Sequence, residues 1–206
     1  MPDGRFATLH VCTGNIGRSP MAELVMREQL DRRDPAISRT FPVSSAGTWG
    51  HEGSAMEPFA AQALQGIGVD PASFRARELR PEHVAGADLV LTATREHRSA
   101  VVALEPSAVR RVFTLKELAR LVGLPGVVEP PAGAGPPAAD PVEHARHVVA
   151  RALARRGTEG PTVPGTEPGR DDVDDPYGAP AVIYLQRLAE IRDAVGRVVA
   201  ALLPPA

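Results

Sequence analysis

The feature that most constrains the fold of this chain is a short apolar segment that runs through a glycine-containing turn directly into a helix. Residues 6–11 have the pattern of a strand, and the turn at 13–17 follows without a linker. Ser19 is a residue type suited to cap the helix, Pro20 suits its first turn, and Glu23 suits the positive end of its dipole. A strand that leads into a helix in this way is typical of parallel α/β sheets.

Further segments continue this alternation. Helices are predicted at 57–65, 95–104, 115–122, 142–156 and 179–203, and strands at 41–46, 87–91 and 109–113. Strands separated by helices pair in parallel through right-handed crossovers, so the sequence predicts an open four-stranded parallel sheet with helices on both faces. The last helix carries an apolar stripe that is expected to dock on the sheet, formed by Leu188, Ile191, Val195, Val198 and Leu202.

The length of 206 residues predicts a single domain over residues 1–206. Runs of Pro, Gly and Ala between about 123 and 170 predict an insertion. The short basic helix within it, at 142–156, is expected to add little to the core. His144 and His147 stand three residues apart on this helix without a recognisable third ligand, so a solvated face is favoured over a metal site.

Composition argues against several classes of protein. A formal net charge of -2 without a basic stripe disfavours nucleic acid as a partner. No apolar run approaches the roughly 20 residues that a membrane-spanning helix needs, and no secretory signal is recognisable. Lys116 is the sole lysine and lies far from any Gly-rich turn, which excludes a P-loop NTPase. Cys12 is the sole cysteine and cannot form an internal disulfide, so a reducing compartment, the cytoplasm, is expected.

The turn after the first strand has the composition of an anion-binding loop. Cys12 ends the strand, two glycines allow tight winding, and the unpaired N–H groups of the following helix start attract negative charge. This setting, with Arg18 nearby, favours the thiolate of Cys12, which is expected to attack phosphorus and form a cysteinyl phosphate. Arg18 can hold two phosphate oxygens with its planar guanidinium. The other residues expected to form the phosphate site are Thr13, Gly14, Asn15, Ile16, Gly17 and Ser19.

Two of these residues have specific expected roles. Asn15 tolerates a left-handed backbone and can brace the loop. Ser19 either caps the helix or hydrogen-bonds the Cys12 thiolate, and the sequence leaves both alternatives open.

Residues 11–23, VCTGNIGRSPMAE, resemble the signature of the low-molecular-weight protein-tyrosine phosphatases. That family has an Asp-Pro-Tyr motif near its C-terminus, as this chain has at Asp175 to Tyr177. The resemblance implies hydrolysis of phosphotyrosine in proteins or of small aryl phosphates, with inorganic phosphate as product and no cofactor or metal. Two positions depart from the family pattern: Gly17, where a second Cys is common, and Gly178, where a second aromatic residue is common. Similarity extends to residues 43–48, 87–91 and 111–118.

The resemblance makes Asp175 the proton donor to the leaving group. A phenolate leaves more easily at neutral pH when a carboxylic acid protonates it, and Pro176 restricts the loop that would aim Asp175 at the site. Asp174 is the competing candidate within the acidic run at 171–175. Trp49 and Tyr177 are expected to flank the substrate ring at the mouth of the site. His83 and His97 are expected to be surface or capping residues.

Two other functions remain open at this stage. An arsenate reductase could use the same loop with an external small thiol, whereas a version that relays electrons through internal cysteines is excluded because Cys12 is alone. A non-catalytic phosphopeptide-binding module is the other alternative, although Cys12, Arg18 and Asp175 together argue against it.

Overall fold

A computed structural model describes residues 4–129, 140–157 and 171–204. Within them, four strands form one sheet in the order β2-β1-β3-β4, and every neighbouring pair is parallel. The predicted open four-stranded parallel sheet is therefore confirmed. The strands are β1 (Thr8–Cys12), β2 (Val43–Gly47), β3 (Leu89–Thr92) and β4 (Val112–Thr114).

Helices cover both faces of this sheet. One face packs against the larger apolar cluster, to which α1, α3, α6, α7 and α8 contribute, and the other against a smaller cluster that contains residues of α4 and α5. None of the helices within the described ranges is long and apolar enough to cross a membrane. The helices are α1 (Arg18–Arg33), α2 (Pro35–Thr40), α3 (Pro58–Gly66), α4 (Pro81–Ala85), α5 (Arg95–Leu104), α6 (Leu115–Leu121), α7 (Pro141–Arg155) and α8 (Ala181–Leu202).

Several element boundaries differ from the sequence prediction. The fourth strand does not begin at 109, because Pro106–Arg110 forms a 3-10 turn capped by the side chain of Glu105, and pairing starts only at Val112. The short helices α2 and α4 were not predicted. Each begins with a proline at its first position, Pro35 or Pro81, which suits a helix start because the missing N–H would be unpaired there in any case.

The apolar stripe of α8 is buried, but it does not pack mainly on the sheet as predicted. The helix lies against α1, α3, α6 and α7, and so forms part of a helical layer over one face of the sheet. All five residues of the predicted stripe are at most 2% exposed.

The expectation that the helix near 142–156 adds little to the core is wrong. The side chains of α7 on one face are buried against the main apolar cluster and against α8. His144 is also buried, with its Nε2 3.1 Å from the carbonyl oxygen of Ala201, so the prediction of a solvated histidine pair fails for His144 and holds only for His147. The flanking residues 130–139 and 158–170 lie outside the described residues, and the boundaries of an insertion stay a prediction.

A pair of acidic substitutions on opposite faces of α7 tests this packing. Val148 is fully buried and Ala150 is exposed, so Val148→Asp places an unpaired carboxylate in the core whereas Ala150→Asp leaves it in water. We expect Val148→Asp to lower the free energy of unfolding by about 3 kcal/mol or more, and Ala150→Asp to change it by less than about 0.5 kcal/mol. Denaturant unfolding measures both. Equal, small effects would contradict the burial of α7.

Candidate functional site

The phosphate loop, defined here as residues 12–18, connects the end of β1 to the start of α1. Several of its backbone carbonyls accept hydrogen bonds from amides outside the loop. The carbonyls of Cys12, Thr13 and Gly14 accept from the amides of residues 48, 49 and 51, respectively, at 2.9–3.0 Å. No acceptor among the described residues is bonded to the amide N–H groups of residues 13–17. A loop with occupied carbonyls and available amides is suited to bind an anion.

The end of β2 supports the loop closely. A Cβ atom added to Gly47 would lie 2.3 Å from the Thr13 carbonyl oxygen, which is far below contact distance. Only glycine therefore allows the β2 backbone to approach the loop at this point.

Asn15 braces the loop from within. Its backbone has a φ of 54°, in the left-handed region, and its side chain is fully buried. The amide Nδ2 donates to Ser19 Oγ at 2.9 Å and to Ser45 Oγ at 2.8 Å, and Oδ1 accepts from the Arg77 amide at 2.9 Å. These three bonds link the loop to α1, to β2 and to the segment before α4.

The network continues from Ser45 to Glu23 on α1. Ser45 Oγ donates to the Glu23 carboxylate, which also pairs with Arg27 at 2.7 Å. Glu23 is thus buried within a polar network and does not act at the helix N-terminus as predicted. Burial raises the pKa of Glu23, and the nearby Arg27 partly opposes this increase.

Ser19 does not cap α1, which begins after Gly17 and has no side-chain cap. Its Oγ lies 3.0 Å from Cys12 Sγ. Because Ser19 Oγ already accepts from Asn15, its own proton is available to the sulfur. The geometry therefore favours the second of the two predicted roles, a hydrogen bond to the sulfur of Cys12.

Arg18 is the first residue of α1, and its side chain is 6% exposed. Its Nη1 donates to the Val173 carbonyl at 3.1 Å, and its Nη2 lies 2.7 Å from the Asp175 carboxylate and 3.4 Å from Thr13 Oγ1. The guanidinium is thus fixed beside the phosphate loop while it faces the segment that carries Asp175.

The aspartates of the acidic run at 171–175 have different ion-pair and hydrogen-bond partners. Asp171 pairs with Arg120 at 2.9 Å, Asp172 accepts from the Arg95 amide at 2.8 Å, and Asp174 pairs with Arg187 at 3.2 Å. Asp175, and not Asp174, lies among the residues that line the pocket above the phosphate loop.

This pocket has a volume of about 260 Å³. The predicted aromatic residues Trp49 and Tyr177 lie at its rim, 74% and 71% exposed, where a substrate ring could stack. The pocket is lined by Cys12, Thr13, Gly14, Ile16, Gly17, Arg18, Trp49, His51, Glu57, Asp175, Pro176, Tyr177 and Tyr184.

Four residues near the site were not predicted to belong to it. The ring of His51 lies against Gly14, and Glu57 caps α3 through a bond from the Ala60 amide at 3.0 Å. Tyr184 is buried, and burial together with Glu57 raises its pKa to about 12. His97 is also buried, so the surface alternative fails; its ring contacts Thr94, the N-cap residue of α5, and the loop residue Thr13. Among the described residues there is no group of three or more His, Cys, Asp or Glu side chains that could hold a metal ion.

Residues 7–153 match the family model of the low molecular weight phosphotyrosine protein phosphatases. The protein-arginine-phosphatase of Geobacillus stearothermophilus is 34% identical over 128 residues, which cover 62% of this chain and 80% of that relative. The low molecular weight protein-tyrosine phosphatase A of Mycobacterium tuberculosis is 44% identical over 89 residues, which cover 42% of this chain and 52% of that relative. The crystal structure of a low molecular weight protein tyrosine phosphatase from T. tengcongensis has a TM-score of 0.64 at 27% identity, over 95% of this chain and 98% of that one.

This chain therefore belongs to the low molecular weight phosphotyrosine protein phosphatase family. The resemblance found in residues 11–23 is confirmed. Asp175 lies beyond the matched range, so its role depends on the Asp-Pro-Tyr motif and on its place in the pocket.

The single cysteine leads to a prediction about oxidation. Peroxide converts a thiolate to a sulfenic acid, which a neighbouring cysteine could trap as a disulfide, but Gly17 offers no thiol. We expect prolonged peroxide treatment to convert Cys12 to sulfinic and sulfonic acids, so that dithiothreitol restores only a small part of the phosphatase activity. The mass of the Cys12 peptide measures the products. Full recovery after long exposure would show that the loop itself protects the sulfenic acid, and added phosphate should slow the loss.

Proposed function

We propose that this chain hydrolyses aryl phosphates, including phosphotyrosine in proteins, through a cysteinyl-phosphate intermediate, and releases inorganic phosphate. The observation that carries the proposal is the position of Cys12 Sγ at the base of a loop with available amides, next to a guanidinium that lies 2.7 Å from the Asp175 carboxylate. Nucleophile, anion clamp and acid thus line one pocket.

The first step is attack of the Cys12 thiolate on phosphorus. The loop amides and Arg18 bind the non-bridging oxygens, orient the P–O bond to the leaving group in line with the sulfur, and stabilise the charge that develops in the transition state. The S–P bond forms as the bond to the aryl oxygen breaks. Asp175 gives its proton to that oxygen. In the second step it removes a proton from the water that attacks the cysteinyl phosphate, and the S–P bond breaks to release inorganic phosphate and regenerate the Cys12 thiolate.

In this scheme, substrate binding has to break the ion pair between Arg18 and Asp175. A phosphoryl group on the loop competes with Asp175 for Arg18 Nη2, and its negative charge favours the protonated form of the released carboxyl group. Substrate binding would in this way convert Asp175 from the ion-pair partner of Arg18 into a proton donor.

The proposed setting of this activity is the cytoplasm, where a phosphoprotein or a small aryl phosphate would be the substrate. Turnover requires Cys12 in its reduced form, and a reducing compartment maintains free thiols.

Two neighbouring carboxylates provide a matched test of the acid role. Asp175→Asn should lower kcat for phenyl phosphate by about 100-fold, in the range of general-acid catalysis, and affect p-nitrophenyl phosphate much less, because nitrophenolate leaves without help. Asp174→Asn, which alters only the pair with Arg187, should change both substrates little. Equal losses for both leaving groups in the Asp175 variant would reject the proton-donor role.

A substrate panel tests the reaction itself. Purified protein is assayed with p-nitrophenyl phosphate, phosphotyrosine and phosphoserine peptides, and with arsenate plus a small external thiol. The proposal requires hydrolysis of the aryl phosphates and its loss in Cys12→Ser, since a hydroxyl group is a much poorer nucleophile in the same loop. Arsenate-dependent thiol oxidation without ester hydrolysis would favour the reductase, and phosphopeptide binding without turnover would favour the binding module.

A second candidate substrate is phosphoarginine, which the carboxylate of Glu57 in the pocket wall favours. Its leaving group is a guanidinium that carries N–H donors, and Glu57 and Asp175 both line the pocket. A protein-arginine-phosphatase is among the relatives. The aromatic rim at Trp49 and Tyr177 instead suits a phenyl ring.

Glu57→Gln separates the two substrates. Glutamine keeps an oxygen for the cap on Ala60 but removes the negative charge, so we expect kcat/KM for a phosphoarginine peptide to fall about tenfold and that for a phosphotyrosine peptide by less than about twofold. Equal changes for the two peptides would rule out selective recognition of the guanidinium by Glu57.

A further inference from the structure

We propose that His97 is a positioning residue that fixes the hydroxyl group of Thr13 as a hydrogen-bond donor to the phosphoryl group. The proposal rests on the phosphate-binding role given above, but it assigns functions to two side chains that the mechanism does not use. His97 is the third residue of α5, the helix that follows β3, and is only 7% exposed. Because β3 pairs with β1, the start of α5 lies beside the phosphate loop.

Both ring nitrogens of His97 contact threonine hydroxyls. Nδ1 lies 2.7 Å from Thr94 Oγ1, and Nε2 lies 2.9 Å from Thr13 Oγ1. Burial, together with the nearby Arg18, lowers the pKa of His97 to about 4, so the ring carries a single N–H at neutral pH. One ring nitrogen must then donate and the other accept.

The Thr94 hydroxyl decides which nitrogen carries the proton. Thr94 Oγ1 already accepts from the backbone amide of His97 at 3.3 Å. If Nδ1 also donated to it, the Thr94 proton would have no acceptor among the described residues. The alternative has Thr94 donating to Nδ1, which places the N–H on Nε2 and directs it to Thr13. The proton without a protein acceptor then belongs to Thr13, which is exposed in the pocket where a ligand can accept it, whereas Thr94 is partly buried.

Thr13 then has its proton free for a ligand. Its oxygen accepts from His97 Nε2 and faces a second donor, Arg18 Nη2, at 3.4 Å. With both lone pairs directed at protein donors, the hydroxyl proton is left for an acceptor in the pocket that Thr13 lines. A non-bridging phosphoryl oxygen, held by the same Arg18, is the acceptor that the site supplies.

The experiment measures phosphate binding without turnover. Trp49 is the sole tryptophan of the chain and lines the pocket, so its fluorescence reports the Kd of inorganic phosphate. Thr13→Val keeps the branched shape without the hydroxyl, and His97→Leu keeps much of the volume without the ring nitrogens. Each should weaken phosphate binding about fivefold, the effect of one hydrogen bond. The double variant should be no weaker than Thr13→Val alone, because the two side chains act through one bond.

Two further variants separate positioning from folding. His97→Gln can offer an amide N–H near the position of Nε2, so it should recover most of the phosphate affinity that His97→Leu loses. His144→Leu removes another buried histidine, on α7, and should lower Tm without changing the phosphate Kd.

Specific outcomes overturn the inference. Losses that add in the double variant, or a His97→Leu protein with normal phosphate affinity and only a lower Tm, would show that His97 is purely structural. Failure of the wild-type chain to bind phosphate would overturn this inference together with the proposed function. If the wild-type chain binds phosphate and the Kd is unchanged in the Thr13 and His97 variants, only this inference is overturned.

Discussion

The arrangement of the phosphate loop depends on the buried side chain of Asn15. A left-handed backbone at this position lets the loop close, and most residues with a side chain adopt it only with strain. Glycine would accept the backbone but would leave Ser19, Ser45 and the Arg77 amide without their shared partner. Each bond adds about 1 kcal/mol net, and each buried group left unpaired costs about as much or more. Asparagine meets both demands, so one residue fixes the loop to three separate segments.

The parts of the site that follow from local backbone rules are those contained in one contiguous segment, whereas Asp175 is expected from the resemblance to the family and Trp49 and Tyr177 from their aromatic side chains. Seven residues, 12–18, contain the strand end, the glycines, Asn15, Arg18 and the helix start, so local backbone rules are enough to bring them together. His97 and Glu57 reach the site only because β3 lies next to β1 and because the amide of Glu57 bonds the Ile16 carbonyl at 2.9 Å. Such proximity follows from strand order and loop path, which periodicity alone does not specify. The sequence contains one indication for His97: it follows a predicted strand, and residues that follow parallel strands lie at the same edge of the sheet.

The error at α7 had a different physical source. Pro, Gly and Ala flank this helix on both sides and indicate an insertion, but the composition of the flanking segments does not determine how the helix packs. Its own apolar residues nevertheless recur on one face, as a helix packed on a core requires. Two arginine side chains also attach this region to the rest of the protein. Arg151 and Arg156 bond backbone carbonyls of Val127 and Val112 at 2.6 and 2.7 Å, which ties the helix to the main body of the protein. Flanking composition does not predict such contacts.

In the proposed mechanism, the charges in the pocket account for the use of a proton donor. A bound phosphate monoester has a charge of about -2 and the attacking thiolate about -1, whereas Arg18 and the helix start supply about +1.5. His97 adds no cation, because burial beside Arg18 keeps its ring neutral. In the proposed substrate complex, the partly enclosed pocket therefore carries excess negative charge close to the Asp175 side chain. In the proposed mechanism, transfer of that proton to the aryl oxygen lets the leaving group depart as a neutral phenol, so that no phenolate charge has to form in the pocket.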